Sequence, residues 1–584
     1  MRSWKVIVGL LGLWLVIMLY MSMTLMPGGD SSTRSEEHLK RALVELDKVK
    51  AQNRELQLLA TELQDIREAG GTGNQDDTIK RLHHRLHNAM QEIKDLSKKS
   101  GESGKTVDAP SGQHEKTLRK VENTAVEFWY YIHSQLLSIK EIGGGTAAVV
   151  EKVTDVLQVS SQYQRTLHND FVSLRNVDNM GQWREQESHN LGELIQKRLH
   201  YIQNPKDCSK AKKIVCNLHK GCGFGCQLHH VVYCLIVAYA TKRTLVLESK
   251  GWRYAPEGWE TVFQPLSNTC TNRAGESSRH WGPLDQIKNV QVIELPIVDS
   301  MHPRPDFMPL AIPEDLAPRL TRLHGDPPVW WIGQFVKYLM RPQKNLKEEI
   351  ERTKQKLQFK NPIVGVHVRR TDKVGVEAAF HSIEEYMAYV DDYYDKLEAR
   401  KPELLNVQRR VYLATDDPNL LKEAREKFKK YIFISDNDIS KSAGLGSRYS
   451  DSSLRGIILD MHFLSLTDYL VCTFSSQVCR VAYELMQTIH GDASTYFKSL
   501  DDVYYFGGQN AHNMIALEHH KHQHPGEISM EVGDLLGIAG NHWNGYSKGI
   551  NRRTSQNGLY PSYKVTNDIT IVKMPLYPEV KPDS

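Results

Sequence analysis

The sequence has no marked excess of either charge. Its 74 lysines and arginines nearly cancel 70 aspartates and glutamates, leaving a net charge of +4 at pH 7. So small an imbalance gives no reason to expect nucleic acid, and any anion site must be local. The N-x-S/T sequon is absent, so nothing marks the chain as itself N-glycosylated. Cysteine is scarce, at eight in 584 residues. Hydrophobic and charged contents of 40% and 25% are ordinary for globular protein, and the length implies three to four folded units rather than one core.

A membrane clue stands at the start. The run Val6 to Met26 is uncharged and mostly apolar, long enough as a helix to cross roughly 30 Å of hydrocarbon. A small-residue cleavage site is missing, which argues for a retained signal anchor over a cleaved signal peptide. Arg2 and Lys5 precede the run and Asp30 is the first charge after it, so residues 1–5 are expected in the cytosol and the remainder in a lumen. The cysteines fit such a compartment. Cys208, Cys216, Cys222, Cys226, Cys234 and Cys270 cluster, and Cys472 and Cys479 form a later pair. An even count in a lumen implies four disulfides. The alternative is a zinc site from Cys222, Cys226, His229 and His230, which have ligand-like spacing.

Apolar positions at Leu39, Ala42, Leu46, Val49, Asn53, Leu56, Ala60 and Leu63 step by three and four, the seam of a coiled coil. The rhythm returns at Ile79, Leu82, Leu86, Ala89, Ile93 and Leu96, and again at Leu118, Val121, Ala125, Phe128 and Ile132. We therefore expect a stalk over 27–106, a helical segment over 107–177 and a parallel dimer; separate amphipathic helices are the plainer alternative. From 178 the texture changes to short β-rich runs alternating with helical ones, at 244–248, 289–295, 362–368, 411–414, 431–435 and 469–473. This pattern predicts an α/β fold with mainly parallel sheets, divided into subdomains at 178–330 and 331–500. Ligands of such sheets sit at the carboxyl ends of the strands. Residues 501–570 hold short strands and turns resembling an SH3 domain, around Glu531 to Asp534, Trp543 and Gly558 to Tyr563. The acidic-aromatic motif of peptide-binding SH3 domains is missing, because Ala516, Leu517, Glu518, His519 and His520 stand there. Residues 571–584 are expected as a tail.

Four polar clusters fall at strand ends. The densest runs from Gly365 through His367, Arg369, Arg370, Thr371 and Asp372 to Lys373. Its two guanidinium groups suit a diphosphate, since arginine offers forked donors to phosphate oxygens. Adjacent strand residues point to opposite faces, so one arginine is expected on phosphate and the other on a carboxylate. Lys373 and Glu377 follow, where a general base can be placed. The second cluster is Thr415, Asp416, Asp417 and Pro418, a pattern that also caps helices. Arg455 to His462, containing Asp460, is the third. Thr473 to Arg480 is the fourth, where hydroxyls and free N–H groups at a helix start suit phosphate oxygens. Together they describe a nucleotide-diphosphate site. Asp436, Asn437 and Asp438 match the Asp-x-Asp pattern of metal-using glycosyltransferases, but chance loops do so often.

The strings His367 to Lys373, Tyr412 to Asp417 and Cys472 to Cys479 closely resemble the α-1,6-fucosyltransferase family. So do Asn204 to Lys212 and Gly507 to Asn513, and the resemblance spans nearly the whole chain. It implies a GT-B-like glycosyltransferase with a Rossmann-type GDP-fucose-binding half. It further implies an inverting, metal-independent transfer to the 6-hydroxyl of the innermost GlcNAc of an Asn-linked glycan, on the Golgi membrane. No cofactor is implied, GDP-fucose being a substrate. By the same resemblance His367 and Asp460 read guanine, Tyr254 joins the donor pocket, Arg369 and Ser476 hold the diphosphate, and Arg370 keeps the site in shape. Glu377 is the implied base, with Lys373 beside it. Lys220, Asp299, Gln477, Asp501, Asp502 and His542 are the implied acceptor contacts. The implied disulfides are Cys208–Cys270, Cys216–Cys234, Cys222–Cys226 and Cys472–Cys479. The rivals are a GDP-fucose enzyme with another acceptor, and a non-catalytic, membrane-anchored SH3 adaptor.

Overall fold

The computed structural model describes residues 110–142, 146–178, 180–371, 378–443 and 447–580. The run 6–26 and the first two heptad stretches lie outside the described residues. Among the described residues, no helix is long and apolar enough to cross a membrane.

Helices α1 (Gly112–Ile142) and α2 (Ala147–Val177) pack side by side, and Arg175 grips both oxygens of Glu122 at 2.7 and 2.6 Å. Of the third heptad stretch, Leu118 is buried, whereas Val121 and Phe128 are 46% and 64% exposed. That part of the seam is not used against this chain's own core. Helix α3 (Gly181–Gln203) leads into a four-stranded parallel sheet. Its strands are β1 (Lys213–Asn217), β2 (Thr244–Glu248), β3 (Ser278–His280) and β4 (Val292–Glu294), in the order β2-β1-β4-β3. Helix α4 (Phe224–Ala240) joins β1 to β2 and is buried except at Cys226 and Ala240. A helix apolar on all sides belongs inside a core. After β5 (Ile312–Pro313), helix α5 (Pro327–Leu339) starts with Asp326 accepting from the Val329 N–H at 3.4 Å and with prolines in its first turn.

A second sheet contains β6 (Val364–Val368), β7 (Arg409–Thr415), β8 (Tyr431–Ile434), β9 (Tyr469–Cys472) and β10 (Phe497–Ser499). All its pairings are parallel, in the order β10-β9-β6-β7-β8. Helix α6 (Ile383–Arg400) follows β6 behind a capping box in which the Ser382 N–H donates to Glu385 at 2.7 Å. Helix α7 (Asp451–Ser465) precedes β9, and α8 (Gln477–Met486) follows it. The chain builds outward from β6 through β7 to β8, then returns to the other flank of β6 for β9. The direction of winding thus reverses between β6 and β9, and a crevice at such a reversal is where open parallel sheets bind ligands. Helix α5 packs on both α4 and α8 and ties the two sheets together. A Cβ on Gly333 of α5 would stand 2.3 Å from the Glu484 carbonyl oxygen, so only glycine permits this approach.

Residues 513–567 form a five-stranded antiparallel sheet of β11 (Asn513–Ala516), β12 (Leu535–Asn541), β13 (Tyr546–Asn551), β14 (Asn557–Pro561) and β15 (Val565–Asn567), in the order β14-β13-β12-β11-β15. The segment expected as a tail returns to the fold. Its β16 (Ile571–Val572) pairs parallel with β5, and buried Tyr577 donates to the Tyr239 carbonyl at 2.6 Å.

Candidate active site

Arg369 and Arg370 leave the carboxyl end of β6, the middle strand of the second sheet, and their side chains find different partners. Arg369 lies 3.1 Å from Asp416, and Arg370 reaches Asp417 at 3.3 Å and Glu423 at 2.9 Å. Asp416, at the end of β7, also accepts from the backbone N–H groups of Arg370 and Thr371 at 2.8 and 3.1 Å and from the Thr371 hydroxyl. Burial works to raise this carboxyl. The Arg369 guanidinium and the surrounding donors outweigh it and hold Asp416 below its ordinary value. Both arginines therefore pair with carboxylates, whereas the sequence led us to expect this of only one; Arg370 is bound into a carboxylate pair beside the sheet.

His367 is 5% exposed, and its Nδ1 has no hydrogen-bond partner among the described residues. Burial pushes the ring down to about 4, so it is neutral at physiological pH. Asp460 lies on α7, which packs on β6 and β7, and takes a 2.8 Å hydrogen bond from the Tyr412 hydroxyl. Burial raises its carboxyl to about 7. Across the winding reversal, Ser476 is buried as the first cap residue of α8, and its side chain makes no capping bond. Tyr254, in the loop after β2, accepts from the Phe224 N–H at 3.0 Å and rests 5.1 Å from Tyr449, just ahead of α7. It thereby links the first sheet to the helix carrying Asp460.

The other predicted side chains gather near the start of α8. Lys220 and Asp299 pair at 3.1 Å. A Cβ on Gly507 would stand 3.9 Å from Gln477 Nε2, and one on Gly508 would overlap Val298, so the 507–508 turn bridges Gln477 to the Asp299 segment. Asp501 follows β10, and its Oδ2 is buried without a hydrogen-bond partner among the described residues. The Trp543 indole N–H donates to the Asp501 carbonyl at 2.9 Å, which brings the turn carrying His542 to Asp501 and Asp502.

The family model of alpha-(1,6)-fucosyltransferase N- and catalytic domains matches residues 1–505. The chain belongs to the alpha-(1,6)-fucosyltransferase family. It is 51% identical to the Alpha-(1,6)-fucosyltransferase of Drosophila melanogaster over 471 residues, 80% of this chain and 75% of that one. It is 38% identical to the Alpha-(1,6)-fucosyltransferase of Caenorhabditis elegans over 94% of this chain and 95% of that one. Among solved structures, fucosyltransferase NodZ from Bradyrhizobium is matched at 14% identity with a TM-score of 0.28, over 47% of this chain and 93% of that one.

In this fucosyltransferase all four expected disulfides are present: Cys208–Cys270, Cys216–Cys234, Cys222–Cys226 and Cys472–Cys479. The zinc alternative fails on that chemistry, because a disulfide sulfur is no thiolate ligand and His229 is committed to Glu484 and Gln477. The same holds for Cys216, His230 and Cys234, which lie close together around a disulfide. The Asp436 carboxylate caps the short helix Asn437–Ser442 and pairs with Lys356 at 2.9 Å, as a loop residue would. Lys373 and Glu377 lie outside the described residues. Two groups of site neighbours escaped the sequence: the buried His229, Glu484 and Tyr504 beside Gln477, and Lys498 with Trp543 beside Asp501. The available signal for the first was a glutamate seven residues after Gln477, on the same helix face. The fucosyltransferase also has a polar cavity of about 460 Å³ at the strand ends of the first sheet, lined by Asn217, Glu248, Arg273, Trp281, Glu294 and His302. None of the candidate donor or acceptor residues named above lines it.

Proposed function

We propose that the protein transfers L-fucose from GDP-β-L-fucose to the 6-hydroxyl of the innermost GlcNAc of Asn-linked glycans, with inversion and without a metal. The observation that supports this best is the winding reversal between β6 and β9. There the strand ends that lead into Arg369 and into the α8 start at Ser476 belong to neighbouring parallel strands. Phosphate oxygens in the crevice at that reversal meet a guanidinium on one side and hydroxyl and backbone donors on the other. Asp416 holds Arg369 in place until the diphosphate arrives, and Arg370 with its carboxylates keeps the loop in shape. His367 and Asp460 read the guanine, and Tyr254 closes the donor pocket.

Inversion requires attack on the face opposite the diphosphate, so one base on the acceptor side is enough. Glu377 takes the proton from the acceptor hydroxyl, with Lys373 beside it. Charge growing on the departing GDP is stabilised by Arg369. Lys220, Asp299, Gln477, Asp501, Asp502 and His542 hold the glycan. The antiparallel sheet at 513–567 is an SH3-like domain that contributes to acceptor contact. We place the protein in the Golgi membrane as a single-pass type II protein anchored by residues 6–26. Its dimer uses the outward-facing Val121 and Phe128 seam.

The test is incubation with GDP-fucose and an agalacto biantennary Asn-linked glycan in EDTA, followed by mass and linkage analysis. Gain of one fucose on the innermost GlcNAc through its 6-hydroxyl is expected. No transfer by a protein that still binds GDP would refute the acceptor, and dependence on added metal would refute the metal-free chemistry.

A further inference from the structure

Glu484 lies on α8 with no solvent exposure, and an ionised carboxylate is costly there unless its lone pairs are met. Two groups from outside its own helix meet them. His229 Nε2 is 2.9 Å from both carboxylate oxygens, and the Tyr504 hydroxyl donates to one of them at 2.6 Å. His229 comes from α4 and is itself buried, 4.9 Å from the Phe506 ring. Its second nitrogen, Nδ1, makes a short hydrogen bond with the side-chain oxygen of Gln477. Gln477 and Glu484 lie seven residues apart, on one face of α8. Helix α4 comes this close because Gly225 has no side chain: a Cβ there would stand 2.7 Å from Gln477 Cβ. A continuous chain of contacts therefore runs from Tyr504 through Glu484 and His229 to the first residue of α8.

The hydrogen positions follow from the partners. A carboxylate only accepts, so Nε2 carries a hydrogen toward Glu484. At Nδ1 two arrangements exist. Either an N–H donates to the amide oxygen of Gln477, or a bare nitrogen accepts from its NH2 group. The atom facing Nδ1 is the amide oxygen, which only accepts, so the first arrangement is the one present. The amide oxygen then turns inward, and the NH2 group faces the 507–508 turn.

We propose that His229, Glu484 and Tyr504 form a positioning unit that fixes the Gln477 amide as a hydrogen-bond donor to an oxygen of the acceptor glycan. This deepens the acceptor assignment of Gln477 and rests on it. None of the three touches substrate; they act through the orientation of one amide.

Steady-state kinetics of the full-length chain with GDP-fucose and the glycan acceptor test this. Glu484→Gln replaces the carboxylate that accepts from His229 Nε2, and Tyr504→Phe removes one hydroxyl while keeping the ring. Glu484→Gln should raise the acceptor KM about tenfold and leave the donor KM within about twofold, the loss of one oriented hydrogen bond. Tyr504→Phe should give a smaller rise in the same parameter, and it carries the test alone if Glu484→Gln does not fold. Adding Glu484→Gln to Gln477→Ala should cause no further loss, because both remove the same interaction. Additive effects, or donor and acceptor KM rising together, would overturn the positioning unit. An acceptor KM raised by Gln477→Ala but untouched by Glu484→Gln and Tyr504→Phe would overturn it while sparing the acceptor assignment. An acceptor KM unmoved by Gln477→Ala would overturn both.

Discussion

Donor binding should tighten as pH rises toward and through about 7, and Asp460 is the reason. Desolvation raises its carboxyl to about 7, against the opposing hydrogen bond from Tyr412 and with a further push from Asp436. Guanine presents an N1–H and an amino group, two donors that call for the ionised carboxylate. Below about pH 7 the free enzyme holds a proton that the complex does not, so binding releases it and affinity falls with falling pH. His367 and His462 are both pushed down to about 4, chiefly by burial, and stay neutral through this window. GDP-fucose itself does not titrate there, because its phosphates carry no monoester group. Between pH 8.5 and 5.5 the expected loss of affinity is about thirtyfold, or ~2 kcal/mol. Calorimetry in two buffers of different ionisation enthalpy, without acceptor, would report about one proton released per donor bound near pH 6. In Asp460→Asn the affinity should be lower and its pH slope gone. A wild-type affinity that stays flat from pH 5.5 to 8.5, or proton uptake on binding, would refute the reasoning.

Arg369→Ala should weaken donor binding by about ten- to a hundredfold, the range for hydrogen bonds to charged groups, with turnover falling further; near-normal activity would sink the diphosphate assignment. Glu377→Gln should leave GDP affinity unchanged by calorimetry while abolishing transfer; a joint fall in both would make Glu377 structural. Gly225→Ala should destabilise the protein by about 1–3 kcal/mol and raise the acceptor KM, because its methyl group collides with Gln477; a thermal midpoint equal to wild type would show that α4 and α8 can part freely. Lys498 is buried against Tyr130, Tyr389 and Trp543, and desolvation holds its ammonium down at about 7 despite the pull of Glu127. Above about pH 7 the unfolded chain binds a proton here that the folded one lacks, so stability should rise toward pH 9 by about 2–3 kcal/mol relative to Lys498→Met. Parallel pH dependence of the two proteins' denaturant midpoints would rule this out.

Much of the fold was legible because its signals are local. Strands β6, β7, β8 and β9 of the second sheet are short, largely apolar runs, whereas β10, a Phe-Lys-Ser triplet, carries no such signal. Exposure was harder to read. Val121 and Phe128 have the spacing of a buried seam, yet the helix turns them outward, and spacing alone does not say which body covers a stripe. Residues 571–580 looked like a tail because two-residue strands leave no periodic signal.

What the sequence determined alone was the inventory: parallel α/β units, and strand ends that carry arginines, carboxylates and hydroxyls. These follow from interactions between residues a few positions apart. The tertiary structure alone decided the strand order, and with it the winding reversal that makes neighbours of the strands leading into Arg369 and Ser476. It also chose Asp416 as the partner of Arg369, raised Asp460 by burial, and joined His229 to Glu484 from different helices. Those outcomes depend on distances between segments far apart in the chain and on exclusion of water, and neither quantity is written in a local pattern.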